Sequence, residues 1–295
     1  MSGLESRLHG VRKFGAHVSI GGGVFNAPQN GIASTCDVVQ IFTKNQMQWQ
    51  VPPLTDEDVQ KFKAEEQRTG VKAVCVHASY LINLGGFDPE KLRKSRQNFI
   101  VEVERAEVLG IPYLVVHPGS HLGNGEAHGV HRISESLNFV LDKYPDFKLK
   151  ILLESTAGQG ANLGYTFEQL AEMRLNVEAP ERIGVCLDTC HMFAAGYEIR
   201  TKEGYRTTMQ ELDDCIGVEH VGVIHSNDSK KALGSRVDRH AHIGDGELGL
   251  TAFEQLVNDA RFKDIPMIIE TPGGAVKDAE NLQKLRGLVK NRMLS

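Results

Sequence analysis

No stretch of this 295-residue chain approaches eighteen consecutive apolar residues, so no membrane-spanning helix, and no membrane partner, is expected. The opening MSGLESRLHGVRK lacks the apolar core of a secretory leader, which predicts no signal peptide. Basic residues are not in excess. Lys and Arg number 33 against 38 Asp and Glu, a formal charge of -5. Nucleic-acid binders usually carry a basic surface, and the total shows none. Bound divalent cations stand outside that count, and they are often the largest local charges in a site. Three of them would add six positive charges and reverse the sign, so the balance excludes neither class.

Cysteines are few and odd in number: Cys36, Cys75, Cys186, Cys190 and Cys215. None forms a CxxC pair, and three lie in or beside apolar runs. Buried reduced thiols are the expected state. There is no 20–50-residue repeat, no low-complexity tract and no linker, so a single domain over residues 1–295 is predicted. These features together predict a soluble cytoplasmic protein, nucleoid-associated if its source is bacterial.

What the chain does have is eight short apolar runs: FGAHVSI, VVQIFTK, AVCVHAS, YLVVHPG, ILLEST, IGVCLD, VGVIHS and PMIIET. Runs of this length, rich in β-branched residues, read as buried strands. Helical patterning separates them. LTDEDVQKFKAEEQRTG opens on a Thr cap and ends at Gly70; the next opens at Pro89 and ends at Gly110. FNAPQNGIAST is the weakest of the helical segments. Alternating strands and helices mean βαβ units on a parallel sheet. Polar residues follow nearly every strand rather than one switch point, which favours a closed (β/α)8 TIM barrel over a doubly wound sheet. Long connections are expected at 80–88, 118–130, 157–165, 192–208 and 229–250.

The strand ends carry the chemistry. His77, His117, Glu154, Asp188, His225 and Glu270 each close an apolar run; His191 follows Asp188 by three, and Asp238 with His240 lies in the polar segment VDRHAH. A lone His at a strand end is ordinarily a hydrogen-bonded core residue. Recurrence on six strands is different. Four carboxylates around one barrel mouth repel one another and lose solvation unless cations compensate. Five imidazoles and four carboxylates are too many for one tetrahedral ion and suit two or three with shared ligands. Zinc fits this donor set first, with manganese or iron(II) after it. The cluster would keep net positive charge, which suits an anionic substrate. Two ions about 3.5–4 Å apart can clamp the attacking and leaving oxygens of a phosphoryl transfer. Metal-assisted hydrolysis of a phosphate ester is therefore the expected reaction. Two decoys fall away. GDGELG follows no strand, so it is not a dinucleotide fingerprint. Gly21-Gly22-Gly23 reads as a tight βα turn rather than a phosphate loop.

The stretches GAHVS, FTKNQ, HASYLINLG, HPGSH, ESTAGQGANLG, GVCLDTCHMFAAGY, HSNDSK, GSRVDRHAHIGDG and IIETP closely resemble the endonuclease IV family of apurinic/apyrimidinic endonucleases, AP endonuclease family 2. They span nearly the whole chain, and DTCHMFAAGY and GSRVDRHAHIG are highly specific. The resemblance implies a TIM barrel with three zinc ions. One ion would take His77, His117 and Glu154. A second would share Glu154 and add Asp188, His225 and Glu270. A third would take His191, Asp238 and His240. It further implies hydrolysis of the DNA phosphodiester 5′ to an abasic site, leaving a 3′-hydroxyl, and trimming of blocked 3′ ends. Glu154 and Glu270 would be the catalytic carboxylates, Glu270 positioning the attacking water. The partner would be double-stranded DNA, bound by a monomer. Tyr80 and Leu81 would enter the base stack, where an abasic nucleotide is cheap to extrude.

One departure is Met47 in TKNQMQW, where bacterial relatives commonly carry Arg. A guanidinium can stack and bind phosphate; Met can only pack. Lys44 and Arg239 are candidate phosphate contacts, each with a structural role as the alternative. Trp49 is a candidate anchor for the same loop. The rival function is a divalent-metal sugar isomerase or epimerase of the xylose-isomerase-like group. It would share the barrel but would not need His191, Asp238 and His240.

Overall fold

In the computed structural model, which describes residues 12–290, the eight predicted runs form eight parallel strands closed into a barrel. They are β1 (Phe14–His17), β2 (Val38–Ile41), β3 (Lys72–His77), β4 (Tyr113–Val116), β5 (Lys150–Glu154), β6 (Ile183–Asp188), β7 (Val221–His225) and β10 (Met267–Ile269). Two short strands, β8 (Asp228–Ser229) and β9 (His240–Ala241), make a separate antiparallel ribbon above the barrel's carboxyl end. The barrel closes where β1 pairs with both β2 and β10. Gly15 is required at that seam: a Cβ there would sit 1.9 Å from the Val38 carbonyl oxygen.

Strand alternation divides the apolar residues into two layers. Val38, Cys75, Val115, Leu152, Cys186, Val223 and Ile268 fill the barrel interior, and a larger cluster lies between the strands and the surrounding helices. All five cysteines are free, and four of them are buried. Residues 1–11 of the opening stretch read for a leader lie outside the described residues, and among those described no helix is long and apolar enough to cross a membrane.

The helices begin and end where capping chemistry directs. Helix α2 (Asp56–Thr69) opens on a reciprocal capping box between Thr55 and Asp58 and stops at Gly70, φ 75. Helix α3 (Pro89–Leu109) is capped by Asp88 and stops at Gly110, φ 76. The weakly patterned first segment forms a 3₁₀ turn, Val24–Asn26, followed by α1 (Ala27–Ala33). Two expected loops prove shorter. Helix α4 (Glu126–Leu141) starts inside the 118–130 connection, and Gly129 in its first turn packs its backbone against Leu163 and His121. After α5 (Phe167–Leu175), the 192–208 connection holds most of α6 (Thr189–Ala195) and the start of α7 (Lys202–Cys215). Asp188 caps α6 by accepting the His191 N–H at 2.8 Å, so the helix springs straight from β6. That compact step places His191 over the mouth.

Candidate metal centre

Parallel strands end at one face, and the side chains that end them meet there. His77, Glu154, Asp188 and His225 are the last residues of β3, β5, β6 and β7. His117 and Glu270 lie one residue beyond β4 and β10. Across the ladder Glu154 aligns with Cys186, and Asp188 with His225. His191 comes from α6, His240 from β9, and Asp238 from the ribbon's connection.

The nine side chains gather into three groups whose donor atoms lie within 4.8 Å of one another: His77, His117 and Glu154; Glu154, Asp188, His225 and Glu270; His191, Asp238 and His240. Glu154 is fully buried and belongs to two of them. Its Oε2 lies 3.0 Å from His77 Nε2 and 3.1 Å from His117 Nε2, and its Oε1 lies 3.0 Å from His225 Nδ1. Cys190 also approaches Asp188 and His240, but burial pushes its thiol up to about 12.

Hydrogen bonds on the outer nitrogens suit these imidazoles to hold cations. His77 Nδ1 meets the Ala78 carbonyl at 2.8 Å, His191 Nδ1 meets that of Ser155 at 2.9 Å, and His225 Nε2 meets Gln40 Oε1 at 2.8 Å. Each outer nitrogen must donate to a carbonyl, which leaves a lone pair on the inner nitrogen of the neutral ring. Those lone pairs face carboxylate oxygens that are also acceptors. His191 Nε2 is 3.1 Å from Asp238 Oδ2 yet lacks the alignment of a hydrogen bond, and His240 Nε2 is likewise buried without a partner among the described residues. Acceptors converging on acceptors need a cation or a proton between them, and the nitrogen and oxygen donors fit divalent zinc.

The electrostatics follow. Burial works to raise Glu154, but the neighbouring His117 and His225 hold it well below the usual carboxylate range. Glu270 behaves alike: burial opposes, and His225 and His77 hold it down. Burial would lower His191, yet Asp188, Asp238 and Glu154 lift it well above an ordinary imidazole. Burial works to raise Asp238, and His191 and His240 hold it to about 2. Ion binding would displace the imidazole protons, so it should release protons and weaken in acid.

Three supporting residues escaped the sequence reading. Gln40, a lone polar residue inside an apolar strand, donates to Glu270 Oε1 at 2.6 Å. Asn227, in HSND, donates to Asp188 Oδ2 at 2.7 Å, and its Oδ1 accepts the Glu270 N–H at 2.7 Å. Asp228, buried beside it, accepts backbone N–H groups of Ser229, Gly244, Gly246 and Leu248 at 2.7–3.1 Å. Gly246 lies so close that a Cβ would stand 2.5 Å from Asp228 Oδ1. Asp228 thus ties the connection after β9 to the ribbon that carries His240. Asp228→Ala strands these amides, so metal-free protein should lose about 3 kcal/mol or more. Urea unfolding measures this, and an unchanged midpoint would show that the anchor is dispensable.

The side chains expected to meet DNA are placed unequally. Tyr80 and Met47 are exposed, 55% and 63%, and touch each other through the tyrosine hydroxyl and the thioether. Leu81 is half-buried beside them, and Trp49 lies under Lys94, whose Nζ is 4.3 Å from the ring centre. Arg239 is exposed and donates to the Asp238 carbonyl at 2.6 Å. Lys44 lines the cleft between the loops after β1 and β2. It is buried, and its ammonium pairs with Glu102 on α3 at 3.0 Å. Glu102 also accepts the Thr43 hydroxyl and the Ser79 N–H, so Lys44 belongs to a buried brace joining the loops after β2 and β3.

Comparison with known proteins places this geometry. A family described as a xylose isomerase-like TIM barrel matches residues 32–291. A "Probable endonuclease 4" of Chloroflexus aurantiacus is 51% identical over 279 residues, 94% of this chain and 98% of the relative. The crystal structure of endonuclease IV from Thermus thermophilus has a TM-score of 0.83 at 37% identity, covering 94% of this chain and 98% of that one. A D-tagatose 3-epimerase-like protein has a TM-score of 0.72 at 21% identity over 94% of this chain and 98% of its own, which is a likeness of fold alone.

Proposed function

The chain belongs to the endonuclease IV family, and from that premise we propose that it hydrolyses the DNA phosphodiester 5′ to an abasic site, leaves a 3′-hydroxyl, and trims blocked 3′ ends. One observation carries the reading: a third donor group, His191, Asp238 and His240, stands beside the two that share Glu154. A sugar epimerase has no use for it. Three zinc ions per chain fit the groups, and manganese or iron(II) fits the same donors. When bound, such ions supply Lewis acidity, bring water towards a pKa of about 7 and offset charge on the leaving oxygen.

The protein's own share is placement. Glu154 spans the first two groups and fixes their separation. Glu270 turns one oxygen to Gln40 and keeps the other 3.3 Å from His225 Nδ1, at a position 17% exposed to the mouth, where it would orient the attacking water. Asp238 and His240 form the third group with His191, His240 Nε2 lying 3.7 Å from Asp188 Oδ2, and this group would face the leaving 3′-oxygen. Exposed Tyr80 and half-buried Leu81 would form the apolar wedge that fills the stack beside an extruded abasic nucleotide. The working form is a monomer on duplex DNA, in the cytoplasm and, in a bacterium, at the nucleoid.

The test is incision of a duplex bearing one tetrahydrofuran abasic analogue, which cannot undergo β-elimination. A single cut 5′ to the lesion with a 3′-hydroxyl is expected. No cut by metal-loaded protein, with turnover of a ketohexose instead, would transfer the protein to the epimerases. His117→Ala should lower bound metal by one equivalent in elemental analysis without unfolding the barrel, since His117 lies just past β4; unchanged stoichiometry would remove it from the ligand set. Met47→Arg should tighten binding of the abasic duplex at moderate salt, since Met47 is exposed beside Tyr80 and a guanidinium there can reach phosphate. Equal affinity across a salt titration would count against a DNA-facing role for that loop.

A further inference from the structure

His17, the last residue of β1, carries a hydrogen that serves no group among the described residues. Its orientation follows from Gln40, whose amide has four contacts. The nitrogen lies 2.6 Å from Glu270 Oε1 and 2.9 Å from His17 Nδ1; the oxygen lies 2.8 Å from His225 Nε2 and 3.0 Å from Cys75 Sγ. A carboxylate only accepts, so the amide nitrogen must be the end facing Glu270. Its second hydrogen then goes to His17 Nδ1, which must accept it. The imidazole proton is therefore on Nε2. That atom is buried and has no hydrogen-bond partner among the described residues.

Nε2 is not free to turn elsewhere. The ring packs on Phe42, centroids 4.2 Å apart, and lies 6.2 Å from the ring of His77. It lines a cleft of about 440 Å³ between the loops after β1 and β2, together with Ser19, Gly21, Lys44, Asn45 and Gln46. Among the described residues no Asp or Glu lines this cleft, although carboxylates crowd the groups next to it. A fixed donor in a cleft without acids suits an anion. A buried unpaired donor is costly, and a ligand oxygen would remove that cost.

We propose that His17 Nε2–H donates to a non-bridging phosphate oxygen of the DNA strand running between the loops after β1 and β2, making His17 a further substrate-contacting residue. This rests on the phosphodiesterase reading above. Affinity is measured on a tetrahydrofuran duplex whose scissile linkage carries a methylene in place of the 3′-oxygen, so that it binds without being cut. His17→Leu should weaken binding roughly tenfold or more with bound metal unchanged by elemental analysis. His17→Gln, which offers an N–H near the same point, should recover most of that loss. Replacing phosphates singly by methylphosphonates should identify one position that weakens wild type but not His17→Leu. Affinity equal to wild type in His17→Leu would overturn the proposal. So would a loss of bound metal, which would mean that His17 acts only through Gln40 on the ligand groups. Wild-type protein that neither binds nor cuts an abasic duplex would instead reject the phosphodiesterase reading, and this proposal with it.

Discussion

Glu270→Gln is expected to leave the barrel folded and to lower single-turnover incision of an abasic duplex roughly 10²–10⁴-fold. The fold should survive because the Glu270 backbone is held independently of its carboxylate: its N–H donates to Asn227 Oδ1 at 2.7 Å, and β10 is closed by β1 and β7. The side chain is where the change falls. Gln40 presents an N–H to Oε1, so the new amide must turn its oxygen to Gln40 and its NH₂ towards His225 Nδ1, 3.3 Å from the present Oε2. A donor then occupies the place where the second group needs an anionic acceptor. The negative charge is lost as well, at a site where His225 and His77 hold the native carboxyl ionised against burial. A thermal melt near wild type together with the rate loss is the expected pair of results. A rate within a few-fold of wild type would remove Glu270 from the reaction.

The contrast between Glu270 and Gln40 shows what can be read from the chain alone. Each of the six strand-end ligands closes its own apolar run, so a local pattern, repeated, marks both the barrel and its mouth. Gln40 and Asn227 leave weaker marks. One is a polar residue inside an apolar strand and the other an Asn two residues after a His, and each acquires its role only when β2, β7 and β10 come together. Lys44 is hard to place from sequence for the same reason. The end of VVQIFTK leaves both a phosphate contact and a structural role open, while the partner of Lys44, Glu102, sits on α3, far along the chain. The division into three groups is the least local feature. His191 reaches Asp238 only because α6 starts within one residue of β6 and because Asp228 folds the ribbon back over it. Strand and helix periodicity contain no such information; the resemblance to a known family does.

Glu154→Gln should be the more damaging substitution. Glu154 supplies one oxygen to His77 and His117 and the other to His225, whereas an amide offers a single acceptor. Whichever way it turns, one of two adjoining groups receives an NH₂ in place of an oxygen. Elemental analysis should find at least one metal equivalent fewer than in wild type, and incision should fall below the level left by Glu270→Gln. Full metal content would mean that Glu154 holds charge without ligating. Metal-free protein supplies an independent check through pH. The folded carboxyl lies well below its usual value, so its contribution is present above the unfolded pKa of about 4.3 and is lost as pH falls through the folded one. The histidines act in the opposite sense. His191 and His225 lie well above about 6.5, so their contribution is complete below that value and is lost as pH rises through the folded pKa values. The difference in unfolding midpoint between wild type and Glu154→Gln should therefore be greatest in the window between the two and shrink on either side. A difference that stays flat across the range would assign the loss to the shape of the carboxylate rather than to its charge.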